Sequence, residues 1–328
     1  MVTVYENELN VALESVRVAA RVCRNVQAKI TSEVLEKKDR SPVTIADYSA
    51  QAIICRTLKD AFPDDPVIGE EGAAALREPD NASFLDKIHD ELGAVGIDSS
   101  IEQICEWIDH GGENNYSDRF WTLDPIDGTK GFLRGEQYAI SLALIISGNI
   151  EVGILCCPNL PLSESDERLG ATFCAVRGQG AVMRCLDDDA VEETIAVTQT
   201  ADTSEARFCE SVESGHSAHG QSARGAEMLG ITKPPVRLDS QAKYAVVARG
   251  EADIYLRLPT RKDYNEKIWD HAGGVIVVEE AGGRVTDIHG KPLDFTHGRE
   301  LKQNKGVVVS NGLIHGRVIQ VLDELSAS

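Results

Sequence analysis

Between Phe120 and Cys185 the sequence breaks into five strand-like stretches: Phe120–Leu123, Tyr138–Ser147, Glu151–Cys157, Ala171–Val176 and Ala181–Cys185. Strands joined by links as tight as Ser147-Gly148-Asn149 pair with their neighbours in antiparallel order, so this part of the chain predicts a meander.

The flanking sequence changes period. Leu9, Leu13, Val16, Ala19, Ala20, Cys23 and Val26 recur at helical spacing, which predicts an amphipathic helix over residues 9–30. A second helix is expected from about Ala46 to Ala61, ending before the breaker cluster Pro63-Asp64-Asp65-Pro66, and Val67-Ile68-Gly69 then reads as a short buried strand running into Glu70-Glu71-Gly72. Residues 73–118 are polar with weak helical patterning, and read as a peripheral insertion or lid. The acidic stretch from Asp187 to Glu193 reads as a boundary. Beyond it, short strands (Thr194–Val197, Arg207–Ser211, Pro235–Leu238, Gly306–Ser310) alternate with helical segments (Gln221–Leu229, Ser240–Arg249, Lys267–Ala281, Leu313–Leu325). The expected organisation is an α+β domain over residues 1–192 followed by an α/β domain over residues 193–328.

Composition narrows the function classes. A formal net charge of −20 repels nucleic-acid backbones and anionic membrane surfaces, so no nucleic-acid polymer and no membrane partner is expected. If the substrate is itself a phosphate, a local cationic pocket or metal ions must draw it in. The eight cysteines show no C-x-x-C spacing and read as buried reduced thiols. The first ten residues carry Glu6 and Glu8 without a basic flank or apolar run, and Leu142–Ile146 is far too short to span a bilayer. A cytoplasmic location is expected.

The chemistry concentrates at Trp121-Thr122-Leu123-Asp124-Pro125-Ile126-Asp127-Gly128-Thr129-Lys130. An apolar strand end delivers two carboxylates around a proline that fixes the turn, so both can aim at one point. Oxygen donors of this kind suit magnesium, which keeps part of its water and accepts a substrate phosphate. Gly128-Thr129 opens a segment able to start a helix, whose free N–H groups favour phosphate. Taken alone, the pattern is equally an ordinary solvated turn. Likewise Glu70 and Glu71 alone fit a charged loop, and Asp47 and Asp270 fit helix-terminal charges.

Ile68-Gly69-Glu70-Glu71, Asp124-Pro125-Ile126-Asp127-Gly128-Thr129 and Trp269-Asp270-His271-Ala272-Gly273-Gly274, followed by Glu280-Ala281-Gly282-Gly283, together resemble the inositol monophosphatase superfamily of lithium-sensitive, metal-dependent phosphatases, in order and spacing and over nearly the whole chain. Four further segments, at residues 41–48, 130–135, 215–219 and 238–244, resemble its 3′(2′),5′-bisphosphate nucleotidase branch, which converts 3′-phosphoadenosine 5′-phosphate to AMP.

The resemblance implies a layered αβαβα sandwich. It implies two or three Mg²⁺ ions held by Glu70, Asp124, the Ile126 carbonyl, Asp127 and Asp270, with Glu71 orienting a ligand. It pairs Asp47 with Thr129 as the base that deprotonates the attacking water. Gly128, Thr129 and Asp270, with His216, Ser240, Lys243 and Arg257, become substrate contacts; His219 is the alternative to His216. Lys243 and Arg257 would supply the local positive charge that the −20 total demands. A small nucleotide is the implied substrate and a monomer the implied state. Inositol 1,4-bisphosphate or an inositol monophosphate is the alternative substrate on the same metal core, and an inactive nucleotide sensor is the remaining reading.

Overall fold

The computed structural model describes residues 4–30, 41–212, 219–259, 261 and 263–326. The first helix, α1 (Glu6–Gln27), buries the stripe Val16, Ala19, Ala20 and Cys23 that its spacing predicts. The second, α2 (Ser41–Ala61), starts five residues earlier than expected because Pro42 sits in its first turn, where a missing N–H costs nothing. Asp47 is therefore inside the helix and is not its cap. Next comes strand β1 (Val67–Gly69).

Residues 73–118 are not a lid. They contain α3 (Ala82–Ala94) and α4 (Ile101–His110), which pack on α2. Leu85, Ile88, Leu92, Ile104 and Ile108 are buried in the same core as α1. Their stripe of apolar residues is narrow, which is why the segment reads as polar overall.

The meander forms as expected and extends at both ends. Its strands are β2 (Arg119–Asp127), β3 (Ala139–Ile146), β4 (Asn149–Ser163), β5 (Asp166–Val176), β6 (Ala181–Cys185) and β7 (Asp188–Ile195), with a short helix, α5 (Thr129–Arg134), between β2 and β3. With β1 they form a seven-stranded sheet in sequence order, antiparallel throughout except for the β1–β2 pair. The acidic stretch is β7 itself. Its outward carboxylates occupy the exposed side of an edge strand, where charge discourages further pairing. The expected division after residue 192 thus falls within a strand of the first sheet.

The remaining elements are β8 (Phe208–Glu210), α6 (His219–Met228), β9 (Val236–Arg237), α7 (Ala242–Ala248), β10 (Ile254–Arg257), α8 (Ala272–Glu280), β11 (Arg284–Thr286), β12 (Val307–Ser310) and α9 (His315–Ser326). Sequence reading missed β10 and β11, which are short and sit next to helical patterns. The second sheet runs β11-β12-β10-β8-β9.

Side-chain alternation explains how the layers stack. Trp121, Leu123, Leu142, Leu144, Val152 and Ile154 face α1–α4, whereas Phe120, Ala143, Ile145, Leu155 and Phe173 face the other way. Tyr255, Val307 and Val309 of the second sheet join this second core, and Ile254, Leu256 and Val308 join a third. Between the sheets lie α7 and α8. Every residue of α8 from Ala272 to Val278 is buried, as a helix apolar on all sides requires. The order helix, sheet, helix, sheet, helix is the expected αβαβα sandwich.

Candidate active site

Glu70 and Asp124 are brought side by side by strand pairing. Parallel β1 and β2 pair Gly69 with Leu123, and the Glu70 N–H continues the ladder to the Leu123 carbonyl at 3.2 Å. In a regular strand Asp124 and Asp127, three residues apart, would point to opposite faces. A bulge between Asp124 and Asp127 breaks the alternation, and both residues line one cavity.

Gly128 then turns the chain with φ +96°, capping α5; a Cβ there would meet the Ser240 Cβ at 2.8 Å. The close neighbour is itself unusual. Ser240 adopts φ +67°, a conformation that costs energy outside glycine, and the following Gln241 N–H donates to Asp127 Oδ2 at 2.5 Å. Backbone strain in one half of the chain thereby holds a carboxylate of the other. Ser240 precedes α7 and is not part of it.

Asp270 ends a 3₁₀ turn, Ile268–Asp270, immediately before α8. The glycines that follow permit close packing: a Cβ on Gly273 would meet Ser141 Oγ at 2.6 Å, and one on Gly274 the Tyr244 ring at 2.4 Å. Arg299 stacks over the Trp269 ring at 4.4 Å and donates to the Glu70 and Glu113 carbonyls, each at 3.3 Å. It ties the Asp270 turn to the Glu70 segment.

These elements enclose a cavity of about 380 Å³. Glu70, Asp124, Ile126, Asp127 and Asp270 line it together with Gly128, Thr129, Ser240, Lys243 and Arg257, so most of the residues singled out from sequence converge. The carboxylates disfavour one another's ionisation. Burial, then the charges of Asp270 and Glu71, push Glu70 up to about 8. Burial, then Glu70 and Asp127, hold Asp124 well above the carboxylate range, and burial first also raises Asp270. Among the described residues, the buried Asp124 Oδ1 has no hydrogen-bond partner. An oxygen-only donor set, mutual repulsion and an orphaned oxygen together fit a hard divalent cation.

The cationic side is less symmetrical than expected. Arg257 is held between two acids, its Nε 2.7 Å from Glu266 and a terminal nitrogen 2.9 Å from Asp270, so its charge is already balanced. Lys243 differs. Among the described residues its buried ammonium bonds carbonyl oxygens alone, Ser240 O at 2.7 Å and Leu238 O at 3.3 Å, and lies 5.2 Å from the Tyr255 ring centre. Burial lowers its pKa, as for a cation without a carboxylate in hydrogen-bond contact.

Asp47 is buried but does not line the cavity, and no hydrogen bond joins it to Thr129. Its helix packs on α5, which Thr129 begins. Glu71 lies behind Glu70, its carboxylate bonded to Tyr48 and its backbone bracketed by Gln51 at 2.7 and 3.0 Å. His216 lies outside the described residues, as does the side chain of His219. Sequence reading missed Gln241, Tyr255, Tyr264, Glu266 and Arg299. Gln241 lies within a segment already singled out and Tyr255 in the short strand β10, but the contacts of the others depend on folding and carry no local pattern.

The inositol monophosphatase family model matches residues 4–327. A 3′(2′),5′-bisphosphate nucleotidase from Emericella nidulans is 43% identical, with 98% of this chain and 99% of that protein covered. One from Schizosaccharomyces pombe is 44% identical over 96% and 95%, and one from Oryza sativa 43% identical over 94% and 91%. Among solved structures, an inositol monophosphatase from Anabaena (Nostoc) superposes with a TM-score of 0.65 at 22% identity, covering 99% of this chain and 100% of that one. An IMPase from Thermotoga maritima gives 0.64 at 22%, covering 98% of each. At that identity the likeness shows the fold. The family model and the full-length relatives show the rest: the chain is a member of the inositol monophosphatase family.

Proposed function

We propose that this chain is a Mg²⁺-dependent phosphatase that removes the 3′-phosphate of adenosine 3′,5′-bisphosphate, releasing AMP and phosphate. The observation that carries the reading is the union, in one cavity, of a carboxylate cluster with the buried ammonium of Lys243. The carboxylates suit hydrolysis of one phosphate, and Lys243 calls for a second anion that stays on the substrate. The full-length relatives bear the name of the same activity.

Glu70, Asp124, Asp127, Asp270 and the Ile126 carbonyl would hold the ions. When bound, Mg²⁺ neutralises phosphate charge and lowers the pKa of water. The remaining chemistry belongs to side chains. Thr129 passes a proton from the attacking water to Asp47, a transfer that requires the two side chains, which are not hydrogen-bonded in this structure, to close on each other. Burial, then the charges of Glu71 and Glu70, raise the Asp47 carboxyl above its usual range, which makes the ionised carboxylate a stronger proton acceptor than an ordinary one. Gly128 and Thr129 lie against the scissile phosphate, Lys243 and Arg257 bind the other one, and Ser240 and His216 contact the nucleoside.

Steady-state turnover of adenosine 3′,5′-bisphosphate and inositol 1-phosphate, measured in parallel with saturating Mg²⁺, tests the reading. It predicts a kcat/KM at least about 100-fold higher for the nucleotide. Faster turnover of the inositol phosphate overturns it.

A further inference from the structure

We propose that Glu266, braced by His271 and Tyr244, is a positioning residue for Arg257, and that it sets the enzyme's preference for substrates carrying a second phosphate. The inference rests on the nucleotide reading above.

Arg257 ends β10 at the cavity wall. A guanidinium is planar, so fixing two of its nitrogens fixes the direction of every remaining donor. Asp270 holds one nitrogen and Glu266 the other, at 2.9 and 2.7 Å. Glu266 is in turn fixed. Its Oε2 lies 3.2 Å from His271 Nε2, and His271 Nδ1 is hydrogen-bonded to the Tyr244 hydroxyl at 2.7 Å. His271 and Tyr244 are fully buried, and the Tyr244 ring abuts Gly274 at the start of α8. A chain of hydrogen bonds therefore runs from the core between the sheets to the guanidinium.

An acid buried close to a carboxylate cluster is costly and needs a purpose. Metal binding does not supply one. One potential ligand atom from each of Glu266, Asp270 and His271 lies within 4.8 Å of the others, yet both His271 nitrogens are already engaged. What remains is orientation. Of the two acids on Arg257, Asp270 faces the carboxylate cluster, so Glu266 is free to serve Arg257.

The test compares kcat/KM for adenosine 3′,5′-bisphosphate with that for adenosine 3′-monophosphate, in the wild type and in E266Q. Arg257 Nε and His271 Nε2 both meet Glu266 Oε2, so the amide can keep its oxygen on both donors, and what E266Q removes is the negative charge that fixes the guanidinium. The ratio should fall about 10-fold or more, chiefly through a higher KM for the bisphosphate. An unchanged ratio, whether both activities survive or both fall together, overturns the proposal and leaves Glu266 a general structural brace. A wild-type ratio near one instead overturns the nucleotide reading itself. If E266Q does not melt cooperatively, Y244F decides, since it removes a single oxygen at the far end of the chain. A drop of about 3-fold in the ratio supports the proposal, and no change overturns it.

Discussion

Asp124 and Asp127 were legible from sequence as a pair, but the device that makes them a pair was not. Pro125 signals a turn, whereas the β-bulge that brings both carboxylates to one cavity depends on where β3 pairs. Arg257 shows the same limit. The resemblance named it as a substrate contact and it lines the cavity, yet the two acids that balance its charge come from a turn 9 to 13 residues later, brought back only by the fold. Two predictions belong at this scale. Asp47→Asn and Thr129→Ala should each lower kcat by about 10²–10⁴-fold, with little change in KM, and the double variant should lose little more than the worse single one. Full kcat in Asp47→Asn would remove the proposed base. The second concerns metal removal. Glu70 is raised from 4.5 to about 8, so between these values the folded protein binds more protons than the unfolded chain. Stability of the metal-free protein should therefore fall as pH rises across that window. Mg²⁺ should restore it and release protons, which thermal melting in EDTA and calorimetry in two buffers will detect. A metal-free melting temperature that climbs toward about pH 8 contradicts the assignment of this cluster.

Elements with a strong period were read well, and elements whose fate depends on a neighbour were not. α1 and the meander carry their own pattern. Residues 73–118 look peripheral because α3 and α4 each bury only a narrow stripe, and the acidic β7 looks like a linker because its strand character comes from pairing with β6. The Gly273-Gly274 pair is the opposite case: the motif was visible, and the structure supplies its reason, which is the approach of Ser141 and Tyr244. Gly274→Ala should lower the urea midpoint, by about 1–3 kcal/mol of stability, at unchanged m-value, because the new methyl meets the Tyr244 ring at 2.4 Å. A wild-type midpoint would show that the contact yields freely.

Across the whole molecule, the layer order was implied by family resemblance and is explained by alternation: every central strand has two apolar faces because each sheet is covered on both sides. The cavity sits where β1, β2 and α5 of one half meet β10, α7 and the Asp270 turn of the other. Neither half holds the full set. Glu70, Asp124, Asp127 and Thr129 come from the first, and Asp270, Lys243 and Arg257 from the second. A chain of net charge −20 thus places the buried ammonium of Lys243 in the wall of this cavity. The most direct test is a ³¹P nuclear magnetic resonance time course on adenosine 3′,5′-bisphosphate with Mg²⁺. The account predicts that the 3′-phosphate resonance disappears, inorganic phosphate appears in equal amount and the 5′-phosphate persists as AMP, with no reaction in EDTA; loss of the 5′-phosphate, or an unchanged spectrum from an enzyme that hydrolyses inositol 1-phosphate, would contradict it.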